Sequence, residues 1–186
     1  MFSFLHIFLN NFKIFKVQIY HASMTHKVFV YGTLKRNEPN HHWLTKPENG
    51  TGKFLAEGTT QKKYPLIIAT KYNIPFLLYS PGDGHYVKGE VYEVDDTMLS
   101  KLDILEDHPK WYIREIDDIV VKKDGSEEVI KCWVYFLKNF RRELLKGKLY
   151  ENYSSSGGHG LKYLESDDGD GATIDDLNEL LDKKIK

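Results

Sequence analysis

The chain has 186 residues, 41% hydrophobic and 13% aromatic, enough to bury one sizeable core rich in large side chains. Its formal net charge of −1, from 26 lysines and arginines against 27 acids, excludes the broad basic surface of a nucleic-acid binder and the acidic excess that suits a basic partner. The single cysteine, Cys132, excludes an internal disulfide and a cysteine-based zinc site.

Residues 1–24 read as an extension outside the fold. Phe2-Ser3-Phe4-Leu5-His6-Ile7-Phe8-Leu9 is apolar, but Asn10 and Asn11 stop the run, and Lys13 and Lys16 follow it instead of preceding it. A secretory signal needs positive charge first and small residues before the cut. The run is also too short and interrupted to cross a bilayer. Met24 stands just before the first strand, so an upstream start is expected in preference to a weak membrane-directing segment.

Val28-Phe29-Val30-Tyr31 is a short unbroken run of β-branched and aromatic residues, the pattern of a strand buried on both faces. It breaks at Gly32, and Thr33 and Leu34 lead into the polar segment Lys35–Asn40. A strand that ends in glycine exposes backbone N–H groups and lets a ligand approach the main chain closely. Successive N–H groups there can form an anion-binding concavity. The residues by themselves favour the plainer reading, a first core strand followed by an ordinary turn.

Asn40-His41-His42-Trp43-Leu44 reads as a short helix. The adjacent histidines point away from each other and have no acidic or cysteine partner at ligand spacing, so capping and packing are expected, not metal binding. Gly50–Lys53 reads as a turn, Phe54–Thr60 and Tyr64–Ala69 as strands, and Ile74–Tyr79 as a third apolar run. Pro81-Gly82-Asp83-Gly84 is a turn signal before a strand from His85 to Val94. On that strand Val87, Gly89, Val91 and Glu93 share one face, and Tyr86, Lys88, Glu90, Tyr92 and Val94 the other.

Asp95-Asp96-Thr97 supplies N-cap chemistry for a helix over Met98–Glu106. Met98, Leu102 and Glu106 fall four residues apart, flanked by Leu99 and Leu105, so Glu106 continues an apolar stripe. A carboxylate at the inner end of such a stripe loses solvation, and its pKa rises. The alternative is that Glu106 frays into solvent at the helix end. His108-Pro109 closes the helix. Trp111-Tyr112-Ile113-Arg114 restarts extended structure, and Ile119–Lys122, the turn Lys123–Ser126 and Val129–Leu137 read as a hairpin. Cys132 within it reads as a buried, inert thiol. Asn139–Leu145 reads as a helical turn and Gly147–Tyr163 as a glycine-serine loop. Asn152-Tyr153-Ser154 matches an N-glycosylation pattern, taken here as incidental. Residues 166–186 read as an acidic tail or a peripheral helix, with Ile174, Leu177, Leu180 and Leu181 at helical spacing.

Val28 to Arg36, followed by Pro39-Asn40-His41, resembles the opening motif of the γ-glutamylamine cyclotransferases, within the wider γ-glutamylcyclotransferase-like (AIG2-like) group. The match continues in order through Tyr64-Pro65-Leu66, Asn73-Ile74-Pro75, Gly89-Glu90-Val91-Tyr92, Leu102-Asp103 with Glu106, Tyr112 and His159-Gly160-Leu161. It defines one domain over residues 25–165. Two departures stand out: Asn37 where glycine is common, which asparagine can replace in a left-handed turn, and Phe76 where tryptophan is common.

The resemblance implies an α+β fold, a small mixed β-barrel with short helices. It also implies an intramolecular aminolysis in which the α-amine of a γ-glutamyl group attacks its own side-chain carbonyl, closing 5-oxoproline and expelling an amine. The nucleophile arrives with the substrate, so no catalytic Ser or Cys, no cofactor and no metal is implied. Glu106 matches the catalytic glutamate, and Tyr31, Gly32, Thr33 and Leu34 match the substrate-binding loop. Tyr112 is a candidate hydrogen-bond donor beside the base, with packing as its alternative. Asp103 could raise the pKa of Glu106 by like-charge repulsion, though a structural role is preferred. The expected substrate is a small γ-glutamylamine, foremost γ-glutamyl-ε-lysine from broken-down transglutaminase cross-links. The alternatives are other γ-glutamyl amino acids, or a non-catalytic binding module of the same fold. A cytosolic monomer without nucleic-acid or membrane partners is expected.

Overall fold

The computed structural model describes residues 24–165 together with Asn178, Leu180 and Leu181. Its elements are β1 (Thr25–Val30), α1 (His42–Thr45), β2 (Gly52–Tyr64), β3 (Leu66–Ala69), β4 (Ile74–Leu77), β5 (His85–Asp95), α2 (Asp96–Leu105), β6 (Tyr112–Lys123) and β7 (Ser126–Leu137). Strands β1-β5-β2-β6-β7 close into a barrel. All pairings in it are antiparallel except the closing one, where β1 meets β7 in parallel at Val28 and Trp133. The expected mixed barrel with short helices is therefore the observed architecture.

Double-sided burial of β1 has a simple cause. Phe29 and Tyr31 point into the barrel with Val87, Val91, Ile119, Cys132, Val134 and Phe136. Val28 and Val30 point outward, beneath the two helices, with Leu44, Tyr92, Val94, Met98, Leu99 and Leu102. Strand β5 alternates in the same way: Val87 and Val91 face the interior, and Tyr92 and Val94 face α2. Gly89 is needed between them, because a Cβ there would lie 2.4 Å from the Val30 carbonyl oxygen. Burying each of Met98, Leu99 and Leu102 contributes about 1.5–3 kcal/mol, which holds α2 on the barrel.

Several boundaries differ from those expected. Strand β2 runs 13 residues, through Tyr64, and carries register shifts between Phe54 and Ala56 and between Thr59 and Lys63. Its turn residues and polar tail conceal that length, because bulges break the two-residue alternation. Pro65 then interrupts the chain, and β3 starts only at Leu66, forming a separate hairpin with β4. Strand β6 is continuous from Tyr112 and joins β7 through Asp124 and Gly125, both at positive φ (51° and 80°). That two-residue turn matches the right-handed twist of the pair. Residues Arg142–Lys146 form a 3₁₀ turn where a helical turn was expected. Asn37 adopts φ 63°, the left-handed conformation expected of it.

A third apolar cluster joins Ile67, Phe76, Leu78, Leu137 and Phe140 on the hairpin side, and Leu180 is buried against it. The expectations for residues 1–23, Ile174 and Leu177 lie outside the described residues. No helix among the described residues is long and apolar enough to cross a membrane.

Candidate active site

The carboxyl end of β1 opens into a cavity of about 180 Å³. Tyr31, Gly32, Thr33, Leu34 and Asn40 form one wall, Ile74, Pro75 and Phe76 of β4 another, and Leu105, Glu106, Tyr112 and Tyr135 the rest. Every site residue expected from the sequence thus meets in one pocket. Its volume falls below the roughly 300–1,000 Å³ of drug-sized sites, so it suits a group the size of one amino acid.

Local structure explains how Glu106 gets there. Asp95 caps α2, its carboxylate accepting from the Met98 N–H at 2.8 Å and from the Thr51 N–H at 2.9 Å. The helix ends at Leu105, one residue earlier than expected, and Glu106 is its C-cap at φ −87°, ψ 3°. The Glu106 N–H still donates to the Leu102 carbonyl at 2.9 Å, so its side chain keeps the direction of the Met98–Leu102 stripe. The stripe delivers the carboxylate to the pocket, not to solvent. Burial pushes its pKa from 4.5 up to about 7. Desolvation is the whole cause. Asp103 does not contribute: it accepts a 2.7 Å hydrogen bond from the Tyr135 hydroxyl and pairs with Arg114 at 3.4 Å. The suggestion that Asp103 tunes Glu106 by repulsion is therefore corrected, and its structural role is the observed one.

Three phenols surround the carboxylate. The Tyr31 hydroxyl donates to the Tyr135 carbonyl at 2.9 Å. Tyr112 stacks on Phe76, ring centroids 6.2 Å apart and planes 5° apart. Burial holds both phenols well above their usual pKa, and the negative charge of Glu106 raises each further. Tyr112 thus packs on Phe76 and lines the pocket.

The loop after β1 is braced through its carbonyls. Gly32 O accepts from the Lys35 N–H at 3.2 Å, Thr33 O from the Asn40 N–H at 2.9 Å, and Leu34 O lies 3.1 Å from His41 Nδ1. None of these braces uses the N–H groups of Gly32, Thr33 or Leu34. The close approach at Gly32 is made by the protein itself, since a Cβ there would sit 2.6 Å from Pro75 Cγ. His42 Nδ1 contacts the Pro39 carbonyl at 3.0 Å and the His41 ring packs near Tyr92, so the pair braces the loop and packs, while the N-cap position of α1 carries no side-chain cap bond where capping was expected. Cys132 is buried, its thiol pushed up to about 12 by desolvation.

Sequence reasoning missed three contributors. Tyr135 was seen only as part of a strand, although it lies on the face of β7 turned toward α2. Glu90 is buried and accepts from the Arg36 N–H at 2.9 Å, Arg36 Nε at 2.9 Å and the Tyr92 hydroxyl at 2.8 Å. Those donors outweigh its desolvation and hold its carboxyl below the usual range. Lys35 is also buried and reaches across to Asn152 and Tyr153. An acid alternating with Tyr92 and Val94 on a core-facing side was the available signal for Glu90.

A family model described as gamma-glutamyl cyclotransferase, AIG2-like, matches residues 28–155. A Drosophila melanogaster protein carrying the gamma-glutamylcyclotransferase name is 55% identical over 72% of this chain and 83% of its own. The gamma-glutamylaminecyclotransferase C of Danio rerio is 44% identical over 77% of this chain and 96% of its own. The crystal structure of an AIG2-like protein from Mus musculus superimposes with a TM-score of 0.72 and 41% identity, covering 77% of this chain and 97% of that one. In sequence and in fold, the chain belongs to the AIG2-like gamma-glutamyl cyclotransferases, a family of enzymes.

Proposed function

We propose that this chain converts γ-glutamylamines, foremost γ-glutamyl-ε-lysine, into 5-oxoproline and the free amine. The observation that carries the reading is Glu106, a carboxyl of pKa about 7 facing the strand-end loop across an amino-acid-sized cavity. Ionised Glu106 takes a proton from the α-ammonium. The freed amine nitrogen bonds to the γ-carbonyl carbon, Glu106 returns its proton to the amide nitrogen and the original C–N bond breaks. Ionised again, Glu106 takes the second proton from the attacking nitrogen and passes it to the amine, which leaves as an ammonium beside the neutral lactam. One carboxyl near neutral pKa serves each transfer. In this reading the N–H groups of Gly32, Thr33 and Leu34 hold the substrate's α-carboxylate, so that its amine and carbonyl are folded together before reaction.

The pocket's composition supports an alkyl leaving amine. One side of it is formed by Ile74, Pro75, Phe76 and Leu105, and the carboxyl on its lining is that of Glu106. An α-amino acid leaving group would bring a second carboxylate beside the scissile nitrogen, next to Glu106 and against apolar walls, where desolvation penalises it. A lysine ε-amine places four methylenes there instead. A small-molecule substrate, no cofactor, and a cytosolic monomer complete the proposal.

The test is incubation with γ-glutamyl-ε-lysine and, in parallel, a γ-glutamyl α-amino acid. Equimolar lysine and 5-oxoproline from the first, with much slower turnover of the second, is the expected result. Preference for the second would reassign the leaving group, and no 5-oxoproline from either would defeat the assignment.

A further inference from the structure

The segment 150–164 lines no part of the pocket, yet it is fastened to both of the pocket's opposing walls. On one side Lys35, about nine-tenths buried, donates to Asn152 Oδ1 at 2.8 Å and the Tyr153 carbonyl at 2.7 Å. Close by, Glu38 accepts from the Ser155 N–H at 2.8 Å. Both acceptor and donor belong to the loop that begins at Gly32. On the other side Asn73 Nδ2 donates to the Lys162 carbonyl at 2.6 Å, and the Leu164 N–H donates to the Tyr72 carbonyl at 3.0 Å. Those residues lead directly into Ile74-Pro75-Phe76. Tyr153, fully buried, forms the middle of the span, stacked on His159 at 5.7 Å and donating to the Asn73 carbonyl at 3.4 Å. The Tyr163 N–H donates to the Ser155 carbonyl at 3.0 Å, which ties the two ends of the span together.

We propose that segment 150–164 is a brace that sets the separation of the substrate loop from the Ile74–Phe76 wall, with Lys35 as its positioning residue. The proposal rests on the pocket being the γ-glutamyl site. A buried lysine is costly, because its ammonium surrenders water. Here it is satisfied by two neutral acceptors on the brace, so its interactions serve the joint and not a local ion pair. The walls touch at Gly32 and Pro75, where there is no room for a methyl group, so a small change in their separation alters the site.

The test cuts the brace at each end, away from the pocket. Glu38→Ala removes the Ser155 tie. Asn73→Gly removes the Lys162 tie, and glycine keeps the φ of 57° that Asn73 adopts. Each variant is expected to raise KM for γ-glutamyl-ε-lysine by about 3–10-fold, the span of a charge-assisted or buried hydrogen bond. The expected kcat changes by less than about twofold, and the midpoint of its pH profile stays in place. The double variant should raise KM by less than the product of the two singles, because both cuts loosen one span that Lys35 and Leu164 still tie. Lys35→Met should raise KM by about tenfold or more; if that variant does not fold, the two peripheral variants decide. Unchanged KM in folded single variants, or multiplicative effects in the double, would overturn the proposal. Hydrogen exchange provides a readout independent of activity. The Lys35 and Asn40 amides, which donate to the Gly32 and Thr33 carbonyls, should exchange faster in Asn73→Gly, and unchanged exchange counts against the brace even if the parent protein turns over no substrate.

Discussion

Replacing Glu106 with glutamine should make the protein more stable and nearly inactive at the same time. The carboxyl titrates at about 7 in the folded chain, against 4.5 when solvated. At 1.36 kcal/mol for each pKa step, keeping Glu106 ionised in its pocket costs the fold about 3 kcal/mol. The sign follows from proton binding. Below pH 4.5 both folded and unfolded chains hold the proton, and the substitution is close to neutral. Between 4.5 and about 7 the unfolded chain releases it first, so the parent loses stability as pH rises. Above about 7 the loss is complete, and Glu106→Gln, which cannot ionise, escapes it. Urea denaturation of both proteins at pH 4.5, 6 and 8 measures the gap directly; it should open from near zero to about 3 kcal/mol. Other titrating groups cancel in the difference. In the same samples kcat should fall by roughly 10²–10⁴-fold, the range for loss of a general acid–base, with a smaller change in KM. The parent's kcat should rise with pH to a plateau, its acid limb centred near 7, because Glu106 must be ionised to accept the proton. Parallel stability curves for the two proteins would refute the burial of an ionisable Glu106. Near-normal turnover would remove it from the chemistry.

Asp103→Asn should leave the acid limb in place, since burial alone raises Glu106. A shift of that limb by more than half a pH step would restore the repulsion model. Its stability cost should be about 1–3 kcal/mol, from the weakened Tyr135 and Arg114 contacts, read by the same denaturation assay. Gly32→Ala should cost about 1–3 kcal/mol and raise KM, because the added methyl drives Pro75 outward from 2.6 Å; unchanged stability and KM would show that the wall yields freely. Removal of residues 1–23 should leave folding and turnover intact, since Met24 is exposed and β1 begins at Thr25. Loss of soluble protein on that truncation would show that the segment supports the core.

Local chemistry determined a large part of this protein. The apolar run Val28–Tyr31, the cap at Asp95, the Asp124-Gly125 turn and the four-residue spacing from Met98 to Glu106 each follow from interactions among near neighbours, and each could be read without a structure. Ordered motifs then placed the chain in its family and marked Glu106 and the Tyr31–Leu34 loop. Other features depend on partners distant along the chain. The length of β2 is set by pairing with β5 and β6 across bulges that erase its alternation. The pKa of Glu106 was legible in direction, but its cause is enclosure by β4, β6 and β7, with Asp103 diverted to Tyr135 and Arg114. The reason for Gly32 is also tertiary, because the atom that forbids a side chain there belongs to Pro75, 43 positions away. The partners of Lys35 and Glu90 are likewise tertiary, because Tyr153 and Arg36 reach them only when distant segments meet. Periodicity reports which side of an element is apolar, whereas the partner that closes over a buried charge is set only when distant segments pack.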